Sequence, residues 1–341
     1  MVRHYLLYGS ERYALAILRP IQQAIVNRGD KAAWFFDGPG AADLAPDELL
    51  LREVDQVKDW NAVANLSCSN AVPHFFPGAK VQVFHGFDAG KPRHIYVRGF
   101  FDLYCTTGPA DTAAFTALSR QLGHFSVRET GWPKLDPYLS RYGCAPPAAV
   151  GQTPVILYHS TFSPSWSAAR ILFDKVKELS RKGLHRWVVT LHPKTDPAVV
   201  AQYRSLQSEQ LRFADNENIH DLFAVADVMI SDTSSALHEF LLTGKPVVTF
   251  RNRRPGPQLI DIAHPDTLEP AIELALSKPA ELMRSIGDYA QKIHPYSDGK
   301  SSERVLAAVD AFLAAGGRNR KRKPLNLWRK LKMRRRLGYW R

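Results

Sequence analysis

Short apolar runs alternate with helical patterns along almost the whole chain, and this alternation constrains the fold more than any other feature. In the first half the runs include HYLLYG, AAWFF, KVQVFHG and FDLYCTTG, and in the second half VILYHS, RWVVTLHP, DVMIS and PVVTF. Continuous apolar runs of this length are typical of strands buried on both faces of a parallel sheet, with helices as crossover connections. The sequence therefore predicts an α/β protein with two doubly wound, Rossmann-like domains.

The length and composition predict where these domains meet. A chain of 341 residues is long enough for two ordinary domains. The segment YGCAPPAAVGQTP, Tyr142 to Pro154, is rich in Pro, Gly and Ala and is the best linker candidate. We predict a first domain over residues 1–145, a second over 146–315 and a tail over 316–341.

The tail holds the whole basic excess of the chain. Residues 316–341 contain 12 of the 45 Lys and Arg residues and no acid, which leaves 33 bases against 33 acids elsewhere. Apolar side chains recur in it between the basic ones: Leu325, Trp328, Leu331, Leu337, Tyr339 and Trp340. This pattern predicts a short helix that binds an anionic membrane surface through residues 318–341. A disordered solubilising tail is an alternative, and nucleic-acid binding is disfavoured because no nucleic-acid module is recognised in the rest of the chain.

The remaining features predict a cytoplasmic protein. The N-terminus lacks a long apolar core of the signal-peptide kind, and no run approaches the ~20 apolar residues that span a bilayer. The three cysteines have no CxxC spacing, and no metal-ligand cluster is evident, so a reducing compartment and no metal are expected. We expect peripheral association with the inner face of the cytoplasmic membrane.

The stretch ISDTSSALHEFLLTGKPVVTF, Ile230 to Phe250, places five polar residues between a predicted buried strand and a predicted helix. Such residues cap helices, at about 1 kcal/mol each, and this explains one or two of them. Alternatively, the free N–H groups and positive dipole at a helix start attract an anion, and hydroxyls add donors to a phosphate. From this stretch alone, both interpretations remain open.

Histidines and hydroxyls follow five of the predicted strands, from both halves of the chain. Because ligands of open α/β sheets bind outside the carboxyl ends of the strands, this placement predicts one cleft between two facing domains. His192, at a turn fixed by Pro193, could donate to a phosphate, with the charge of Lys194 nearby. His85 could act as general base towards a hydroxyl, and Gly86 after it permits a positive φ. Both histidines could instead be structural.

Several segments together resemble the CDP-glycerol glycerophosphotransferases of teichoic-acid-type polymer synthesis. The resemblance extends from about Val81 to Val309 and is carried by these segments: DLFAVADVMISDTSSALHEFLLTGKPVVTF (221–250), TLHPK, ILYHSTF, YSDGKSSERV (296–305), FHG and TGWPKLD (130–136). It implies the two-domain GT-B fold, with His85 as base on the acceptor hydroxyl. It also implies that His192 and the Ser234/Ser235 pair bind the donor's diphosphate, and that Glu239 lies near the nucleotide, where its carboxylate could accept from ribose hydroxyls.

The assigned residues fall into two groups. Besides the catalytic histidines His85 and His192, the donor diphosphate and nucleotide group comprises Thr161, Lys194, Ser231, Thr233, Ser234, Ser235 and Glu239. The acceptor or cleft group comprises Gly86, Asp88, Thr107 and Gly108. The chain departs from the family pattern at Phe87 and Asp88, beside the expected base, and at Thr233, where the family often has Tyr.

The resemblance implies a transferase that moves a phosphopolyol, glycerol phosphate in the first instance, from a CDP-activated donor to a hydroxyl of a glycan or lipid-linked acceptor. No cofactor is expected beyond the nucleotide-activated donor. The alternatives are a nucleotide-sugar glycosyltransferase and a GT-B-like sugar epimerase. Hydride transfer and P-loop hydrolysis are disfavoured because no GxGxxG or GxxxxGK[ST] stands at the expected corners.

Overall fold

The computed structural model describes residues 1–87, 95–143, 152–215 and 217–340. The chain forms two compact units, the first made of residues 1–140 and 292–341 and the second of residues 141–291. Each unit contains a six-stranded sheet whose paired strands are parallel. The predicted α/β class with two doubly wound sheets is therefore confirmed.

The first unit has the strand order β2-β1-β3-β4-β5-β6. Its strands are β1 His4–Gly9, β2 Lys31–Phe36, β3 Ala64–Ser67, β4 Ala79–Val83, β5 Leu103–Thr106 and β6 Ser126–Glu129. Its helices are α1 Tyr13–Asn27, α2 Val54–Trp60, α3 Pro109–Leu122, α4 Asp136–Tyr142, α11 Ser301–Ala314 and α12 Leu327–Arg336. The central strands β3, β4 and β5 are buried along their whole length, as expected for a parallel sheet covered on both faces.

The second unit has the strand order β12-β11-β10-β7-β8-β9. Its strands are β7 Val155–Ser160, β8 Arg186–Leu191, β9 Leu211–Phe213, β10 Val228–Ser231, β11 Val247–Phe250 and β12 Ile260–Ile262. Its helices are α5 Ala169–Arg181, α6 Pro197–Arg204, α7 Ile219–Val225, α8 Ala236–Leu241, α9 Leu268–Leu276 and α10 Ala280–Ile293. One face of the sheet packs against α5 and α9 through residues such as Tyr158, Ile230, Leu172 and Ile272.

The division into units differs from the predicted domain boundaries at the C-terminal end. Residues 292–315, predicted to belong to the second domain, pack with the first unit, and so does the tail. The reason is a set of specific contacts: Asp136 accepts hydrogen bonds from the backbone N–H groups of Ser301 and Ser302 at 2.9 and 2.7 Å, and Arg28 bonds Asp310 at 3.0 Å. Most of the predicted linker lies outside the described residues.

The two segments TGWPKLD and YSDGKSSERV thus meet in the first unit. Asp136 of one caps the start of α11 in the other, and Gly131 lies so close to Ser301 that a Cβ there would be 2.4 Å from its Oγ. Burial raises the pKa of Asp136, while hydrogen bonds from Ser302 and Ser301 oppose that rise. These segments therefore hold the returning chain against the first unit. Among the described residues, no helix is long and apolar enough to cross a bilayer.

Candidate functional site

A row of polar side chains crosses the second sheet just before its carboxyl edge. Thr190 of β8 is in register with His159 of β7, and Ser231 of β10 is in register with Thr249 of β11. The pairing of β7 with β10 places His159 beside Ser231 in the same row. Because side chains alternate along a strand, all four point to one face, opposite the face that packs on α5 and α9. The sheet therefore presents a polar face at the edge where ligands of such units bind.

Two members of this row each have one buried side-chain atom that bonds to no other described residue. His159 Nδ1 and Ser231 Oγ have no hydrogen-bond partner among the described residues, and both residues are buried. Burial and, after it, nearby His192 lower the pKa of His159 to about 4, while a hydrogen bond with the backbone of Thr190 and the charge of Glu239 oppose this fall. His159 is therefore neutral near pH 7.

Asp232 organises the loops at this edge. Its carboxylate accepts hydrogen bonds from Ser160 Oγ at 2.5 Å, from the N–H of Thr161 at 3.1 Å and from the N–H of Ala168 at 3.0 Å. Burial raises the pKa of Asp232, and the bonds from Ser160 and the backbone oppose that rise. The role of Asp232 is to fix the loop after β7 against the loop after β10, so the predicted donor residue Thr161 is fixed through its backbone.

The hydroxyls after β10 have different environments. Ser234 Oγ accepts from the N–H of Ala236 at 3.2 Å, and Thr233 Oγ1 accepts from the N–H of Arg253 at 3.3 Å. Ser235 starts α8, is exposed and makes no side-chain cap bond. A hydroxyl that accepts from an N–H retains its own O–H for donation. Capping and phosphate binding are therefore compatible here, although α8, with six residues, is too short to contribute a large dipole.

His192 is oriented as a hydrogen-bond donor. Its Nδ1 accepts from the N–H of Lys194 at 3.1 Å, so the proton of the neutral ring lies on Nε2. The ring lies 4.5 Å from that of Phe162, and the ammonium of Lys194 lies 5.8 Å from the same ring. Burial, and then the charge of Lys194, lower the pKa of His192. The half-buried His192 is therefore neutral near pH 7 and can donate from Nε2.

Glu239 lies in a buried pair with a residue that the sequence did not point to. Its Oε2 is 2.8 Å from Nε2 of His220 on α7, and both residues are buried. Glu239 is one turn after Ser235 on α8, and its side chain is buried rather than exposed. The charge of Glu239 also acts on the pKa of His159, where it opposes the lowering caused by burial.

An arginine-rich loop after β11 joins the same edge and was also missed. Asn252 Nδ2 donates to the backbone oxygen of Asp232 at 2.9 Å, so this loop packs directly on the serine loop. The guanidinium of Arg253 lies 4.5 Å from the ring of Trp166, and Arg251, Arg253 and Arg254 are exposed. In the sequence, the run RNRR directly after a predicted buried strand could have indicated this basic loop.

The predicted acceptor-side residues of the first unit differ from one another in their surroundings. His85 follows β4, is exposed, and its ring lies 5.7 Å from that of Tyr13. Gly86 does not have a positive φ, contrary to the use expected for it, but a Cβ there would meet open space. Asp88 lies outside the described residues.

Thr107 and Gly108 have structural contacts instead. Thr107 Oγ1 donates to Asp111 at 2.7 Å, and a Cβ at Gly108 would lie 2.3 Å from the carbonyl oxygen of Ile293. Both residues are buried. They therefore support the packing of α3 and of Ile293, a residue of the first unit, at this edge.

Comparisons with known proteins give a partial family match and a clear fold. Residues 149–310 match the family model described as UDP-N-acetylglucosamine 2-epimerase. A search of curated proteins finds no significant match. The matched segment covers most of the second unit and most of α11.

Solved structures resemble the chain over nearly its whole length. One, from Listeria monocytogenes and named as a UDP-N-acetylglucosamine 2-epimerase, is 14% identical with a TM-score of 0.65, over 92% of this chain and 98% of the other. MnaA of S. aureus, solved with UDP, is 14% identical with a TM-score of 0.59, over 92% and 97%. The wall teichoic acid polymerase TagF is 13% identical with a TM-score of 0.62, over 92% and 90%. At these identities the likeness establishes the fold, which is two-domain and GT-B-like.

Proposed function

We propose that the second unit binds the diphosphate of a nucleotide-linked donor at the carboxyl edge of its sheet. The observation that carries this proposal is the orientation of His192, whose ring proton lies on Nε2 because Nδ1 accepts from the N–H of Lys194. The exposed arginines after β11 and the hydroxyls of Ser234 and Ser235 add positive charge and donors at the same edge. The arginines are charged donors, and charged donors form stronger hydrogen bonds to phosphate than neutral ones.

The proposed reaction is transfer of a phosphopolyol from a CDP-linked donor to a hydroxyl of a glycan or lipid-linked acceptor. The acceptor oxygen attacks the phosphorus that carries the polyol, the bond from that phosphorus to CMP breaks, and His85 takes the hydroxyl proton. His192 Nε2–H and the arginines stabilise the charge that grows on departing CMP. The exposure of His85 at the end of β4 and the likeness to TagF, which was also solved with CDPG, support this choice.

A sugar 2-epimerase is the second candidate, and the family match over residues 149–310 favours it. Epimerisation at a carbon next to a nucleotide-linked centre uses the same diphosphate site. The matched segment is mostly the second unit, so it bears on donor binding more than on the chemistry that the first unit contributes.

One experiment separates the two candidates. The protein is incubated with CDP-glycerol and a glycan acceptor, and separately with UDP-N-acetylglucosamine in heavy water. The His85→Ala variant is the control. Release of CMP that requires acceptor and His85 supports the transferase. Incorporation of deuterium at C2 of the sugar, with no release of CMP, would contradict the transferase and support the epimerase.

A further inference from the structure

The helix α12 is docked on the first unit with apolar side chains facing outward. Leu325 and Leu327 are 72% and 69% exposed, and Trp328 is 84% exposed. Leu331 and Trp340 are exposed as well. A helix that packs on a protein normally buries its leucines and tryptophan, so this orientation is the reverse of the usual one.

The docking itself uses other side chains. Met333 and Tyr339 are buried, and the ring of Tyr339 stacks on that of Phe75 at 4.8 Å. The ammonium of Lys58 lies 4.6 Å from the centre of the Tyr339 ring. Met333 and Tyr339 thus anchor the tail on the first unit. The leucines of the tail are exposed although the tail is packed against the protein.

The segment before α12 is also fixed. Lys323 pairs with Asp102 at 2.7 Å, and Gly99 has a φ of 74° where a Cβ would lie 2.3 Å from Pro324. Only a glycine suits that backbone conformation and that close approach. The structure therefore favours a preformed surface over the disordered tail considered from the sequence.

The outward side of α12 is basic as well as apolar. Lys332 and Arg335 are exposed, and helical spacing places them on the side of Trp328. Leucine and tryptophan with flanking Lys and Arg is the combination that suits the headgroup region of an anionic bilayer. The phosphate backbone of a nucleic acid would bind the Lys and Arg side chains of α12 but would make no use of its exposed leucines.

We propose that this α12 surface, formed by Leu325, Leu327, Trp328, Leu331 and Trp340 with Lys332 and Arg335, binds an anionic lipid bilayer. Its far end reaches the carboxyl edge of the first sheet, because Arg336 pairs with Asp37 after β2 and donates to Tyr8 Oη of β1 at 2.8 Å. Two strand spacings, about 10 Å, separate β1 from β4 in this sheet. Resting on the proposed function, this places a bilayer within reach of the edge where His85 would receive a lipid-linked acceptor.

The test is co-sedimentation of the full chain with vesicles of phosphatidylcholine alone and of phosphatidylcholine with an equal part of phosphatidylglycerol. The variant Leu327→Ser with Trp328→Ser removes outward apolar side chains without touching the anchors. Its matched control is Val225→Ser with Leu274→Ser, two exposed apolar residues of the second unit. We expect the wild type to bind only the anionic vesicles, and the first variant to bind them at least about tenfold more weakly, with the control unchanged.

A second pair of variants tests the role of the basic side chains. Lys332→Glu with Arg335→Glu should also weaken binding to the anionic vesicles, whereas Arg181→Glu with Arg284→Glu, which changes net charge equally, should not. Melting temperatures verify that all variants are folded. Unchanged vesicle binding by the Leu327/Trp328 variant, or binding to single-stranded RNA that exceeds vesicle binding at the same salt, would overturn the proposal. Vesicle binding needs no turnover, so this result is independent of whether the transferase assay succeeds.

Discussion

The carboxylate of Glu239 and the imidazole of His220 form a buried pair, with 2.8 Å between Oε2 and Nε2. The two residues come from α8 and α7, the helices that follow and precede β10 in the chain. A buried carboxylate needs such a partner because transfer of an unpaired charge out of water is costly.

His220→Ala should therefore destabilise the protein. Loss of a hydrogen-bond partner of a buried polar group typically costs about 1–3 kcal/mol, and His220→Ala removes the partner of Glu239 Oε2. Replacing both partners, as His220→Phe with Glu239→Leu, should cost less than the single change. Urea unfolding of the three variants measures this, and a double variant less stable than His220→Ala would contradict it.

Ser234 and Ser235 should separate stability from donor binding. Ser235→Ala should leave the free energy of unfolding within about 0.5 kcal/mol of wild type, because its hydroxyl makes no cap bond, yet weaken donor binding about tenfold. Ser234→Ala should lower stability by about 1 kcal/mol as well, since it removes the acceptor for the N–H of Ala236. Calorimetric titration with CDP-glycerol and urea unfolding give both quantities. Donor affinity that survives in Ser235→Ala would move the diphosphate away from this loop.

His85→Ala should reduce turnover by about 10²–10⁴-fold while donor affinity stays constant, as expected for a general base on the acceptor side. His264→Ala, at another exposed histidine, is the control. Loss of donor affinity in His85→Ala equal to that in His192→Ala would refute the division of roles.

Stability should fall on acidification partly through His159. Burial lowers its pKa to about 4, whereas an unfolded histidine titrates near 6.5, so between these values the unfolded chain binds a proton that the folded protein does not. Its contribution is complete above about pH 6.5 and is lost as the pH falls towards 4, with about 2 kcal/mol lost at pH 5. His159→Gln should reduce the difference in unfolding free energy between pH 7 and pH 5 by about this amount. If His159→Gln kept the full pH dependence of the unfolding free energy, that dependence would belong to other groups.

The apolar runs predicted most strands because parallel strands buried on both faces need continuous apolar sequence. They missed β6, whose sequence SVRE is only half-buried, and β12, which has three residues. At the site, the order of strand ends predicted where His192 and Ser234 would lie, because the carboxyl ends of parallel strands share one edge.

Contacts between distant segments could not be predicted in this way. The partner of Glu239 is 19 positions away, and Asp136 caps a helix whose first residue is 165 positions later. The tail was predicted as a helix, but its docking depends on Phe75 and Lys58, and no local pattern links these residues to Tyr339.

The first unit is built from both ends of the chain, and this has a consequence for synthesis on the ribosome. Residues 141–291 are complete before the last strip of the first unit, residues 292–341, has been made. The second unit can therefore fold as an autonomous domain while the sheet of the first still lacks α11 and α12. Because Arg28 must wait for Asp310, 282 positions later, the first unit closes only after that segment has been made, and nascent chains arrested earlier would expose the surface that α11 covers.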